Sequence, residues 1–401
     1  MKVPKTLLAG LLALSTTGIV RAQTVIHLTG STAFRASTHI AIQDILQTGW
    51  TAGYSGSSLN GANQAIFTGH TKTNNISVII KTSWTGSVGG VQTVSQQIPI
   101  STWLTNNTPQ STTGTSNNPV FYDPPYVPDV CMSDGYQSST PYPTPALVDQ
   151  VVGIVPFKWL INNGAAAAFG THTNITPELA QALWLNGSLP LALFTGNNAD
   201  ENTLIFAIGR DADSGTRLTT FAESGIGVFT AVEQWVPTNS SGILTANNSA
   251  AMTGQELYPQ ETINTILYTQ GHGGYSSGGD VAAVLKFTGN SLAAVGGYYL
   301  SYVGISDANN ALAGGATELQ WNGVSYSTNA VQEGRYTFWG YEHLDYRQNY
   351  GTVSSLGKQV ADQIAGQIFA TDAPSSSGLL YGSMHVSRPT DGGLVTPSYG
   401  N

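Results

Sequence analysis

Arg210 stands four residues before a Ser214-Gly215-Thr216 triplet, with Asp211 and Asp213 between them. A guanidinium can meet two oxyanion oxygens at once and stays charged at any relevant pH. The same small, hydroxyl-bearing chemistry recurs at Gly30-Ser31-Thr32 and at Gly86-Ser87. Each of the three follows an apolar run, and in at least two a helical pattern comes next. The first backbone N–H groups of such a helix lack internal partners, and the helix dipole adds positive potential there. Glycine lets the chain approach a ligand and the hydroxyl adds a donor, which together make a site for an anion. Taken singly, each hydroxyl also reads as an ordinary N-cap. Arg210 alone also reads as an ion-pair partner of Asp211 or Asp213. Asp134, in Ser133-Asp134-Gly135, places a carboxylate in the same company. It repels an anion unless the ligand brings a proton; otherwise it is a turn residue before Gly135.

Other chemistry finds less support. Gly274-Tyr275-Ser276-Ser277-Gly278 fits a Gly-x-Ser-x-Gly nucleophile elbow, but it lies in a Gly/Ser-rich stretch without a strand pattern before it. Asp211-Ala212-Asp213 lacks the glycine and distal glutamate of a calcium loop. The seven histidines show no paired metal-ligand spacing. Tyr298, Tyr299, Tyr302 and Trp339 suit core packing better than a sugar platform.

The elements that must position these residues alternate short apolar runs with helical patterns, which predicts α/β layers. Strands are expected over 25–29, 76–81, 151–155 and 204–209. Helical patterns follow the first, with a stop at Gly49, and the last, ending near Gly225. The 86–90 segment reads as a Gly-rich turn, 105–118 as an exposed polar loop, and 271–279 as a flexible stretch.

Composition narrows the function classes. The chain has 401 residues, enough for two to three domains, and only 9% Asp, Glu, Lys and Arg against 41% hydrophobic residues. Glycine (46 residues), serine, threonine and asparagine replace the missing charge. A net charge of -9 excludes electrostatic binding to nucleic acid or anionic lipid. Lys2 and Lys5, the apolar run 6–20 and the small residues of Val20-Arg21-Ala22 predict an export leader over 1–22, with the mature chain starting near Gln23. Cys131 is the only cysteine, so no intramolecular disulfide is possible.

In chain order, the segments resemble the substrate-binding protein of the high-affinity phosphate ABC transporter. The resemblance rests on Thr29-Gly30-Ser31-Thr32-Ala33-Phe34, Gly86-Ser87-Val88-Gly89-Gly90, Met132-Ser133-Asp134, and Arg210 with Ser214-Gly215-Thr216. The stretches 151–156 and 175–180 are similar to that family's second-domain strand and helix. Departures are Ala33 and Arg35 around the first loop, and acids at 211 and 213 rather than between them.

The resemblance implies a two-lobed, type II periplasmic-binding-protein α/β fold with a ligand cleft between lobes. Lobe 1 would hold 23–140 and 296–401, and lobe 2 would hold 141–295. It implies an exported, periplasmic or extracellular monomer that captures inorganic phosphate or a related oxyanion for an ABC permease in the inner membrane. Catalytic residues, cofactors and metals are not expected. The implied ligand-binding residues are Ser31, Thr32, Ala33, Phe34, Ser87, Asp134, Arg210, Ser214, Gly215 and Thr216. Asp134 would accept the proton of monohydrogen phosphate and so exclude sulfate. The alternative is a secreted structural or surface-interaction protein on the same fold, without a transport role.

Overall fold

The structure, a computed structural model, describes residues 23–263 and 265–398. The leader expected over 1–22 lies outside the described residues. The first apolar run forms β1 (Thr24–Gly30), and α1 (Arg35–Ile45) follows it. That helix stops earlier than Gly49: Leu46 is extended, and Gly49, at φ +99°, makes the turn into β2 (Thr51–Ser55). Next come β3 (Gln64–His70), β4 (Ser77–Ser83), α2 (Ser87–Ser95), β5 (Thr115–Asn117), β6 (Val130–Ser133) and β7 (Leu147–Ile161). β8 (Asn174–Ile175), α3 (Pro177–Asn186), β9 (Ser188–Pro190), β10 (Leu204–Ala207) and α4 (Gly215–Glu223) continue the chain. After a small antiparallel sheet spanning 235–257 come α5 (Gly278–Phe287), β11 (Gly297–Gly304), α6 (Ile305–Ala313), β12 (Thr317–Trp321), β13 (Trp339–Arg347) and α7 (Ser355–Gln367).

Among the described residues thirteen strands join in one mixed sheet. One group runs β5-β2-β3-β4-β1-β6, with β1 parallel to both β4 and β6. The other is built from β11, parallel to β10, with β9 at the edge. β13 and β7 lie between the groups. Residues 147–156 of β7 pair with β13, and residues 157–161 pair with β11. The result is an α/β architecture around a large central sheet. Among the described residues no helix is long and apolar enough to cross a membrane.

Three further expectations change. The 86–90 segment is a turn only at Gly86; Ser87 already opens α2, and Gly89 and Gly90 lie inside that helix. A side chain at Gly90 would collide with the Gly30 Cα, so small residues bring α2 against the end of β1. The polar loop over 105–118 contributes the edge strand β5, parallel to β2. The stretch 271–279 is a packed connection rather than a flexible one: Tyr275 is buried and its backbone bridges to Arg210.

The main core lies around Trp159 of β7. Its ring stands against Trp184, Tyr302, Trp321 and Phe338, all buried. A second buried group is polar. His39 of α1 is held by the Leu59 carbonyl at Nδ1 (2.9 Å), while Nε2 accepts from Trp84 Nε1 (3.2 Å). A proton on Nε2 would face that indole N–H, and burial, helped by the Arg35 charge, pushes the imidazole pKa down to about 3. Between pH 3 and 6.5 the unfolded chain therefore binds a proton that the folded chain refuses. Stability from this group is complete above pH 6.5 and falls on acidification, by about 2–3 kcal/mol at pH 4.5. Urea midpoints at pH 7 and 4.5 should show that drop, and His39→Gln should flatten it.

Candidate functional site

At the end of β1, Gly30 adopts φ +110°, and a Cβ there would overlap the Met132 carbonyl of β6. That close approach puts Ser31 beside Asp134. The Ser31 hydroxyl donates to Asp134 Oδ1 and accepts from the Ala33 and Phe34 amides at 3.2 and 3.4 Å. Ser87 Oγ donates to the same oxygen at 3.0 Å and accepts from the Asp134 amide at 3.1 Å. From the opposite side, Thr216 Oγ1 in the first turn of α4 donates to Asp134 Oδ2 at 3.2 Å. Gly215 must be glycine for this meeting, because a Cβ would run into Ser87 Oγ and lie 2.8 Å from Asp134 Cβ. Ser214 caps α4, accepting from the Arg217 amide at 3.2 Å.

Three loops distant in sequence thus converge on one buried carboxylate at a helix N-terminus, where negative charge is favoured. Glu342 of β13 is buried beside it. Burial, reinforced by Asp134, pushes the Glu342 carboxyl well above the usual carboxylate range.

In front of this cluster lies a cavity of about 370 Å³. Thr32, Ala33, Arg210 and Thr216 line it, together with Arg35, Asn60, Asn63, Pro156, Ser277 and Asp307. Arg210 is buried, its guanidinium anchored by Nε to the Tyr275 carbonyl (3.0 Å) and by Nη2 to the Ser276 carbonyl (2.9 Å). Arg35 donates to Asn63 Oδ1. Burial and the neighbouring Arg210 charge lower the Arg35 pKa, against the opposing pull of Asp307. Asp307, at the start of α6, lies against Gly278 of α5; burial raises its pKa while the two arginines oppose the rise. Asp211, beside Arg210 in the loop, is pushed up to about 6 by burial despite Arg210 and Arg217.

Of the ten residues implied by sequence, Thr32, Ala33, Arg210 and Thr216 line the cavity. Ser31, Ser87, Asp134 and Gly215 form the hydroxyl–carboxylate cluster behind it, and Ser214 caps α4. Phe34 is buried and packs on Gly153 and Gly378. Sequence reasoning missed Arg35, Asp307 and Glu342. Arg35 carried a signal, as the charged residue at the end of the first loop, but Asp307 and Glu342 sit in segments without a motif.

No family model matches the chain, and no curated protein does. Among solved structures, an ABC-type phosphate transport receptor from Vibrio cholerae is similar at 10% identity, over 88% of this chain and 99% of that one, with a TM-score of 0.47. PstS from Borrelia burgdorferi is similar at 12% identity over 89% and 98% of the two chains, TM-score 0.41. The regulatory domain of CrgA, a LysR-type transcriptional regulator from Neisseria meningitidis, is similar at 10% identity over 86% and 100%, TM-score 0.35.

Proposed function

We propose that this chain is a solute-binding protein that captures a phosphate-like oxyanion in the cavity between its two strand groups. One observation carries the reading. In a chain of net charge -9, the ionisable side chains lining the cavity are Arg35, Arg210 and Asp307, which leaves one positive charge there. A concave site with convergent polar groups and more guanidinium than carboxylate on its lining suits a small anion. Thr32 adds a hydroxyl donor, while Thr216, whose proton goes to Asp134, offers an acceptor oxygen. Asp134, reached through Thr216, supplies the acceptor side, so that a ligand carrying a proton is preferred. In this reading the strands β5-β2-β3-β4-β1-β6 belong to one lobe and β9, β10 and β11 to the other, which moves the boundary expected at 296 past β11. The protein acts as an exported monomer that hands its ligand to an ABC permease.

The test is calorimetry and thermal melting of ligand-stripped protein with phosphate, arsenate and sulfate. Phosphate at one hundred times Kd should stabilise the fold by about 2.7 kcal/mol. Asp134→Asn should narrow the gap between phosphate and sulfate, because an amide donates as well as accepts. Equal sulfate exclusion in both proteins would remove Asp134 from selectivity. One observation favours the second reading, a secreted structural or surface-interaction protein: the Ser31, Ser87 and Thr216 hydroxyls are already spent on Asp134. Unchanged melting in millimolar phosphate would select it.

A further inference from the structure

A second polar cluster lies on another part of the sheet, at the pairing of β7 with β13. Asp345 of β13 stands directly across from Asp149 of β7 and from Cys131 of β6. His343, two residues earlier on β13, shares that face. Its register partner on β7 is Val151, next to a bulge between Glu342 and His343. His343 is fully buried, and its Nδ1 lies 2.7 Å from Asp149 Oδ1, while Nε2 has no hydrogen-bond partner. Asp345 is 1% exposed, and neither of its carboxylate oxygens has a partner. One ligand-capable atom from each of Asp149, His343 and Asp345 lies within 4.8 Å of the others.

A buried carboxylate with no donor is costly, and a second carboxylate nearby makes it more so. Cys131 and the α2 residues Val91 and Val94 bury the surroundings and supply no compensating cation. Asp149, with a side chain 42% exposed, opens the cluster to solvent.

We propose that Asp149, His343 and Asp345 bind a divalent transition-metal ion of the zinc type. Two carboxylates and one imidazole match that ion in charge and in donor softness. On a tetrahedron with ligand bonds of about 2.0–2.2 Å, ligand atoms stand about 3.3–3.6 Å apart, within reach of the present spacing by small side-chain rotations. Coordination takes both carboxylates and one ring nitrogen of His343 in deprotonated form, so any imidazolium or carboxyl proton of the metal-free cluster passes to the buffer, while a neutral ring keeps its one proton on the other nitrogen. Solvent at the Asp149 side completes the shell. The ion would tie β7 to β13 at the bulge, and it is independent of the anion cavity.

The experiment titrates Zn²⁺ into the EDTA-stripped chain, read by calorimetry in two buffers of different ionisation enthalpy and by thermal melting. One ion per chain, a raised melting temperature and a buffer-dependent heat are expected. Asp345→Asn and His343→Gln should each weaken binding by about 100-fold or more. The metal-free Asp345→Asn protein should melt no lower than the metal-free wild type, because an amide replaces a carboxylate without a donor. Should a buried variant fail to fold, Asp149→Asn at the exposed position carries the same expected loss of affinity. An absent Zn²⁺ response in the wild type overturns the proposal. So do variants that bind as the wild type does, which would place the ion on other histidines.

Discussion

Arg210→Ala is expected to weaken phosphate binding about thirty-fold or more, a loss on the order of 2–4 kcal/mol. The variant removes the deeper of the two cavity guanidiniums and leaves Arg35 balanced by Asp307, so the site loses its net positive charge. It also removes the guanidinium donors to the Tyr275 and Ser276 carbonyls, of which Tyr275 keeps the Asp211 amide at 3.0 Å, so the ligand-free protein should melt lower. Arg210→Lys should restore charge but not the planar fork, recovering only part of the affinity. Calorimetry separates the two effects, because affinity is read on the protein that remains folded. Wild-type affinity in Arg210→Ala would move the site out of this cavity.

The largest stability effect should come from Trp159→Ala, about 3–5 kcal/mol. Trp159 is fully buried and touches aromatic rings from α3, β11, β12 and the segment before β13. No single neighbour can collapse into the space, because each ring is held by others: Trp184 also packs on Tyr302, and Trp321 on Phe338. Urea denaturation should show a lower midpoint. A loss under about 1 kcal/mol would mean that the aromatic cluster repacks freely.

The parts of the fold legible in the sequence were those with local signals. Runs ending in glycine and a hydroxyl placed β1, β10 and α4 close to their observed bounds, while α1 ends four residues before the expected stop at Gly49. The full length of β7 was not legible. Pro156 and Lys158 interrupt its apolar pattern, and a proline argues against a central strand. Lys158 is accommodated by an ion pair with Glu318 of β12 at 2.6 Å, a partner no local window contains. The candidate site divides the same way. Arg210 and Thr216 stood out by type and spacing, whereas Asp307 and Glu342 reach the site only through tertiary packing. Arg35 was visible as an odd residue after the first loop, but its role depends on a helix far along the chain.

The change of partners along β7 has a mechanical side. Pro156 is the last β7 residue paired with β13, and Phe157 pairs with Gly304 at the end of β11. Proline carries no N–H to bridge the changeover. Pro156 and Gly304 both line the cavity. The cavity therefore sits on the torsional joint of the sheet, where one ladder hands over to the next. A ligand there touches both strand groups at once, because Thr32 follows β1 and Gly304 ends β11.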